Sequence, residues 1–340
     1  MSVLKETGEF GLIRRIRRLI EEEGARGHGV LEGLGDDTAV LEPRSDRLVL
    51  ATCDAMVEGR HYSRDFMTLE EVGRRAMAMN ISDIGAMGGR PAWALVSLGI
   101  PEDIEDTDIL ELYRGFLKEL NPMDAAVVGG NITGADRGLL IDVTLLGEVE
   151  RGRMVTRAGA RPGDRILVTG YPGQAAAGLK ILIRGEPLDT PDAAPLVRAY
   201  KTPAHRARAG RAAAETGRVT AMVDISDGFL GDLGHIREES GVGAVLHLTR
   251  LPLSDALLRA AEKWGLDPLE TALEPSDDYE LVLTCAPEDV PAVKGAICAA
   301  EGLQVTEVGR ITQEPGCEIV KPDGSRAPAA GGGWDHFKSN

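Results

Sequence analysis

The sequence predicts a mixed α/β (α+β) protein of two domains, residues 1–150 and 151–340. Three observations lead there. A chain of 340 residues is long enough for two hydrophobic cores. Short apolar runs with strand character alternate with stretches whose apolar residues recur at helical spacing. The sharpest example is Met222–Gly228, MVDISDG, where an apolar run stops at two carboxylates three apart, Asp224 and Asp227, before the helical FLGDLGHI. Strand, acidic turn and helix follow one another there. Taken alone, N-capping by Ser226 or Asp227 accounts for such a turn.

The elements follow in chain order. Phe10 to Glu23 predicts an amphipathic helix with Ile13, Ile16, Leu19 and Ile20 on one side, and its RRIRR segment reads as a solvated face. A glycine-rich loop then leads to GLGDDTAVLEP, with Asp36 and Asp37. Arg47 to Cys53 predicts a strand that stops at Asp54. Leu69 to Met87 predicts a helix with NISDIGAMGG in its C-terminal half. A strand over Ala92–Ile100, a helix over Thr107–Leu120, a short strand over Ala125–Val128 running into GGNITG, and an alternating strand over Leu139–Glu150 complete the first domain. The second opens on a strand over Arg165–Thr169 and the turn GYPGQAAAGLK. That turn is not a P-loop, because Leu179 separates Gly178 from Lys180; it suits close packing or an anion at a helix start. Helices over Ala204–Glu215, Phe229–Glu239 and Ser254–Lys263 are expected, with strands over Ala244–Leu248, Tyr279–Thr284 and Val305–Arg310.

Composition narrows the function. With 38 basic and 54 acidic residues the net charge is −16, which opposes general nucleic-acid binding. No apolar run is long enough to span a bilayer, and MSVLKETGEF has no signal-peptide pattern. Cys53, Cys285, Cys298 and Cys317 form no CxxC pair, and a reducing cytoplasm is the expected location.

Carboxylates gather where chemistry is expected: Asp36, Asp37, Asp54, Asp83, Asp224 and Asp227 lie in or beside glycine-flanked turns. Crowded like charges cost roughly 2–5 kcal/mol per uncompensated pair. Hard oxygen donors without paired His or Cys select Mg²⁺ or Mn²⁺, metals that usually hold polyphosphate. There is no GxSxG, and of the six histidines His61 in EGRHY is the most interesting because it follows the Asp54 loop.

GEFGLI, GLGDDTAVL, DAMVEGRHY, NISDIGAMGGRPAW, VVGGNITG, TRAGARPGD, DISDG, DDYEL and the terminal WDHF occur in an order that resembles the thiamine-monophosphate kinases. These belong to the aminoimidazole-ribonucleotide synthetase-like ATP-binding superfamily. The resemblance implies two α/β domains, an N-terminal ATP- and metal-binding and dimerisation domain and a C-terminal domain. It implies that the N-terminal strands form a barrel across a homodimer. It implies ATP- and Mg²⁺-dependent γ-phosphoryl transfer to thiamine monophosphate. It further implies catalytic Asp54, Asp83 and Asp224, and metal ligands Asp37, Thr52, Cys53, Asp54, Asp83, Asn131, Asp224 and Asp227. Gly129, Gly130, Asn131, Arg157 and Ser226 would contact the nucleotide; His61, Asp277 and Trp334 would face thiamine, with Trp334 suited to its cationic ring.

The pattern departs from the family at three places. Cys53 puts a thiol where the family has a hydroxyl. Asn131 replaces the frequent Asp after the paired glycines. PSDDYEL stands for GGEDYEL, so Pro275 and Ser276 replace glycines and Asp277 replaces Glu; proline cannot take the positive φ open to glycine. Another enzyme of the superfamily with a different acceptor, or a non-catalytic nucleotide-binding homologue, is also compatible with the residues.

Overall fold

The computed structural model describes residues 3–35 and 37–329; Asp36 and Trp334 lie outside the described residues. The chain divides into two compact units, one running to Ile84 and including Gly89–Gly152, the other Gly85–Gly88 and the chain from Arg153 onward.

The first unit runs α1 (Val3–Glu23), β1 (Val30–Glu32), β2 (Val40–Leu41), β3 (Arg47–Val57), α2 (Leu69–Ala86), β4 (Arg90–Ile100), α3 (Asp106–Leu120), β5 (Ala126–Gly134) and β6 (Leu140–Glu150). Its four-stranded sheet has the order β3-β6-β4-β5. β6 is antiparallel to both neighbours, while β4 and β5 are parallel, as a helical crossover through α3 requires. Helices α2 and α3 cross closely where both lack a side chain: a Cβ on Gly73 would come within 2.1 Å of the Leu112 carbonyl. Ile84 of α2 packs on Gly147 of β6, where a Cβ would meet it at 2.6 Å.

This sheet buries one face only. On β6, Ile141, Val143 and Leu145 are fully buried; on the edge strand β3, Met56 is buried while Val49, Ala51, Cys53, Ala55 and Val57 are exposed. The β1–β2 hairpin reaches part of the open face through Val30 and Leu41, packed on Trp93 and Ala126, and the Trp93 indole donates to the His28 carbonyl at 2.7 Å.

Three expectations change here. β3 continues to Val57 because its ladder with β6 runs unbroken to Leu140, so Asp54 lies within a strand and not at its end. GGNITG is also strand, pairing with Leu95–Ile100 in register. α1 leaves Phe10 74% exposed and buries Ile16 and Leu19 as expected, but with Leu12 in place of the half-buried Ile13 and Ile20. Three of its arginines form ion pairs: Arg17 and Arg18 bond Glu21 and Glu22 at 2.8 Å, and Arg15 pairs with Asp106.

The second unit contains β7 (Arg165–Thr169), α4 (Gln174–Arg184), α5 (Ala194–Lys201), α6 (Ala207–Glu215), β8 (Val219–Asp224), α7 (Phe229–Ser240), β9 (Gly243–His247), α8 (Asp255–Trp264), α9 (Pro268–Leu273), β10 (Leu281–Cys285), α10 (Val290–Glu301), β11 (Val305–Thr312), β12 (Gly316–Val320) and β13 (Arg326–Pro328). The sheet order is β13-β12-β9-β11-β7-β10-β8. Alternation along its strands feeds two cores. Ile166, Val168, Val223 and Val282 pack with Phe229, Leu233 and Ile236 of α7. Leu167, Met222, Leu281 and Leu283 pack with α6 and α10. Among the described residues no helix is long and apolar enough to cross a membrane.

Candidate active site

In the N-terminal unit the period-two geometry of β3 sorts the predicted ligands. Thr52 and Asp54 share the half-buried face, and the Thr52 hydroxyl donates to the Asp83 carboxylate of α2 at 2.5 Å. Asp37 is exposed in the segment between β1 and β2. Cys53 projects from the opposite face, donating to Asp142 at 3.2 Å and accepting from Thr144 at 3.4 Å. The Thr144 hydroxyl favours its thiolate, yet Asp142, burial and Asp54 together push the thiol's pKa up. A thiol kept protonated is a poor partner for a hard cation.

Asn131 falls on the Cys53 face too, in a row with Ser97, Asp142 and Ala55. The glycines before it are packing requirements: a Cβ on Gly130 would lie 1.9 Å from the Val96 carbonyl, and one on Gly129 would lie 2.9 Å from Leu95. The structure thus joins Thr52 and Asp83, with Asp54 on their face, and separates Cys53 and Asn131 from them.

His61 sits in a fastened loop. Its Nδ1 accepts from the Val57 amide at 2.9 Å, which places the neutral ring's proton on Nε2. Gly59 donates to Tyr62, the Tyr62 hydroxyl donates to Leu139, and Glu58 accepts from Leu139 and Arg64.

In the C-terminal unit, the strand, turn and helix at MVDISDG form as the sequence predicts. Asp224 ends β8 and is 2% exposed. Neither Ser226 nor Asp227 caps α7: the N-cap is Gly228, at φ 106°, and it carries no side-chain cap. The turn is held from the other direction. The amides of Ser226 and Asp227 both donate to one oxygen of Asp232, at 3.0 Å each. Asp232 is buried in the first turn of α7, and burial, reinforced by Asp224 and Asp227, pushes its pKa up to about 8. Ligand atoms of Asp227, Asp232 and His235 lie within 4.8 Å of one another. Crowded oxygen donors of this kind fit a divalent cation that offsets their repulsion.

The PSDDYEL segment is joined to that turn. Ile225 donates to the Glu280 carbonyl at 2.7 Å, and Tyr279 donates to the Ile225 carbonyl at 2.8 Å. Gly228 is glycine for this contact, since a Cβ would come within 2.9 Å of Glu274 and Pro275. The left-handed residue of the loop is Tyr279, at φ 53°, so Pro275 and Ser276 occupy positions with no need of glycine's freedom. Asp277 is half-buried between them and Tyr279. Arg157 is exposed on a loop pinned by Ser240, whose hydroxyl accepts from Gly159 and Ala160 at 3.1 Å and donates to the Arg157 carbonyl.

Sequence reasoning missed Asp232, Asp142, Asp278 and Ser240. Only Asp232 left a signal, a carboxylate in the first turn of the helix after DISDG; the others act across 80 residues of chain or more.

The fold and its carboxylate turns define a two-domain protein of the AIR synthase related class: the N-terminal domain model matches residues 35–149 and the C-terminal domain model residues 161–321. A thiamine-monophosphate kinase of Aquifex aeolicus (strain VF5) is 36% identical over 334 residues, covering 98% of this chain and 99% of that protein. The chain belongs to the thiamine-monophosphate kinase family. The crystal structure of thiamine-monophosphate kinase from Stenotrophomonas maltophilia K279a superposes with a TM-score of 0.81 at 34% identity, over 94% of this chain and 98% of that one. The structure of AaThiL complexed with AMPPCP and TMP gives a TM-score of 0.77 at 35% identity, over 98% of both chains.

Proposed function

We propose that this chain transfers the γ-phosphoryl group of ATP to the phosphate of thiamine monophosphate, giving thiamine diphosphate and ADP. One observation carries the reading: in the C-terminal unit the DISDG carboxylate turn and the loop bearing Asp277 are hydrogen-bonded into one structure. A phosphate-handling turn beside an acceptor loop is what direct transfer between two phosphates calls for. Family membership and the relative solved with AMPPCP and TMP support it.

The reaction forms a bond from an acceptor phosphate oxygen to the γ-phosphorus and breaks the bond to the bridging oxygen, which leaves with ADP. Such transfer depends on positioning and charge neutralisation more than on a covalent nucleophile. Bound Mg²⁺ would supply that neutralisation. Asp37, Thr52, Asp54 and Asp83 of the first unit, and Asp224 and Asp227 of the second, are the proposed oxygen ligands. Asp54, Asp83 and Asp224 are the proposed catalytic ones. Cys53 and Asn131 complete the proposed set from the other sheet face. Gly129, Gly130, Arg157 and Ser226 are assigned to the nucleotide. His61, with its Nε2 proton, Asp277 and Trp334 are assigned to thiamine.

The reading includes a cytoplasmic homodimer in which residues 1–150 bind ATP and metal and close a barrel with a second copy. The exposed apolar positions of β3 support it.

Incubating the protein with thiamine monophosphate, ATP and Mg²⁺ should yield thiamine diphosphate. A wild type that binds ATP and makes none would refute the assignment. Asp54→Asn and Asp224→Asn should each weaken Mg²⁺-dependent ATP binding about tenfold or more, with circular dichroism unchanged. Unchanged ATP affinity in both variants would remove the carboxylates from the nucleotide site.

A further inference from the structure

Two features of the sequence, the glycine-rich turn GYPGQAAAGLK and the altered loop PSDDYEL, turn out to be one contact. The N-cap of helix α4 is Gly173, a glycine at φ 87° with no side chain to cap the first turn. Its caps come from about a hundred residues further on. The Gly173 amide donates to Asp278 Oδ2 at 2.6 Å, and the Ala175 amide to Asp278 Oδ1 at 2.9 Å. The Ala176 amide donates to the Ser276 hydroxyl at 3.2 Å. The anion at this helix start is therefore the protein's own carboxylate.

The fastening follows a period of two along the loop. Glu274 pairs with Lys180 of α4 at 2.5 Å. Ser276 and Asp278 cap the same helix, each 8% exposed. Glu280 accepts from Thr169 at 2.6 Å and from Nε and Nη2 of Arg206 at 2.8 and 2.5 Å. Gly170 is glycine because a Cβ there would come within 2.0 Å of the Glu280 carboxylate. Residues 274, 276, 278 and 280 are thus all tied down to α4, β7 or Arg206, and Asp277 is carried between two of the ties.

We propose that Ser276 and Asp278 are positioning residues that fix Asp277 for recognition of the thiamine-phosphate acceptor. Ser276 contributes, through its hydroxyl, an anchor that the family's glycine cannot make. This rests on the proposed function and deepens its acceptor side. A loop that must present a carboxylate one methylene shorter than Glu has less reach to waste on motion, so an additional tie at residue 276 matters here. Neither residue is assigned to the nucleotide, so the effect is selective for one substrate.

Ser276→Gly should raise KM for thiamine monophosphate about three- to tenfold, the worth of one hydrogen bond, while KM for ATP stays within about twofold. Asp278→Asn, which keeps one acceptor oxygen of two, should raise the acceptor KM at least as much. Ser276→Thr, which keeps the hydroxyl, should restore a KM near that of the wild type. Should Asp278→Asn fail to fold, Ser276→Gly, which removes only a hydroxymethyl group, carries the test. A wild type that makes no thiamine diphosphate sinks the proposed function and this inference together. A wild type that turns over, beside a Ser276→Gly variant whose acceptor KM is unchanged or whose two KM values rise alike, sinks the inference alone.

Discussion

In the C-terminal unit, Ile166, Val168 and Val282 face one apolar layer while Leu167, Leu281 and Leu283 face another. In the N-terminal unit, β3 alternates between buried Met56 and exposed Val49, Ala51, Ala55 and Val57. A sheet covered on both faces has little room for polar groups along its inner strands, and β7, β8, β9 and β10 carry a single carboxylate between them, Asp224 at the end of β8. A sheet covered on one face can carry polar groups along a strand, and Thr52 and Asp54 do so in the middle of β3. The same contrast leaves apolar positions of β3 exposed, the surface on which the proposed dimer rests.

A matched pair of charge insertions tests the contrast. Leu283→Asp places an unpaired carboxylate in the doubly covered sheet and should cost more than about 4 kcal/mol, abolishing the cooperative urea transition of the C-terminal unit. Ala51→Asp puts the same charge on the open face of β3. It should leave the circular dichroism intact and shift the light-scattering mass from dimer to monomer at micromolar concentration. If Leu283→Asp unfolds nothing, the covered sheet is misjudged. If Ala51→Asp keeps the wild-type mass, the open face is not the dimer surface.

The smallest expected effect also belongs to the covered unit. Burial pushes the Asp278 carboxyl up from 3.8 to about 6, against the opposing pull of the Ala175 and Gly173 amides. An unfolded chain loses that proton near pH 4, whereas the folded chain keeps it to about pH 6. The stability associated with the proton is complete below pH 4 and is lost as pH rises toward 6, by about 3 kcal/mol at most. Asp278→Asn cannot titrate, so its urea midpoint should gain on the wild type between pH 4 and 6.5. Midpoints that move in parallel would show that Asp278 titrates as an ordinary carboxylate.

Much of the fold was legible because the signals are local. The switch from a strand run at Val219–Asp224 to helical spacing from Phe229 is written in one stretch of chain, and so is the turn between β7 and α4. Helix ends were less legible: α6 begins at Ala207 and not Ala204, and β10 begins at Leu281 because Tyr279 takes a left-handed turn that no residue type announces.

The carboxylates of DISDG, the Asp54 strand and NISD could be picked out as candidates from residue type and neighbours alone, since charge crowding and glycine flanks are visible in a string of letters. What holds them could not. That Cys53 faces away from Asp54 follows from alternation only once β3 is known to run past residue 54, and β6 decides that through a ladder some ninety residues distant. That Asp232 steadies Ser226 and Asp227, and that Ser276 and Asp278 cap α4, depends on backbone amides left unpaired at a helix start or in a turn. Any nearby acceptor satisfies an open amide, so its partner is chosen by the fold and not by neighbours in sequence. By itself the sequence determined the central strands and several of the helices beside them, the acidic turns and the chemistry of their donors, but not α5, α9, α10 or the strands β12 and β13. The tertiary structure alone decided which donors share a face and what holds them there, because hydrogen bonds close over distances that only folding makes short.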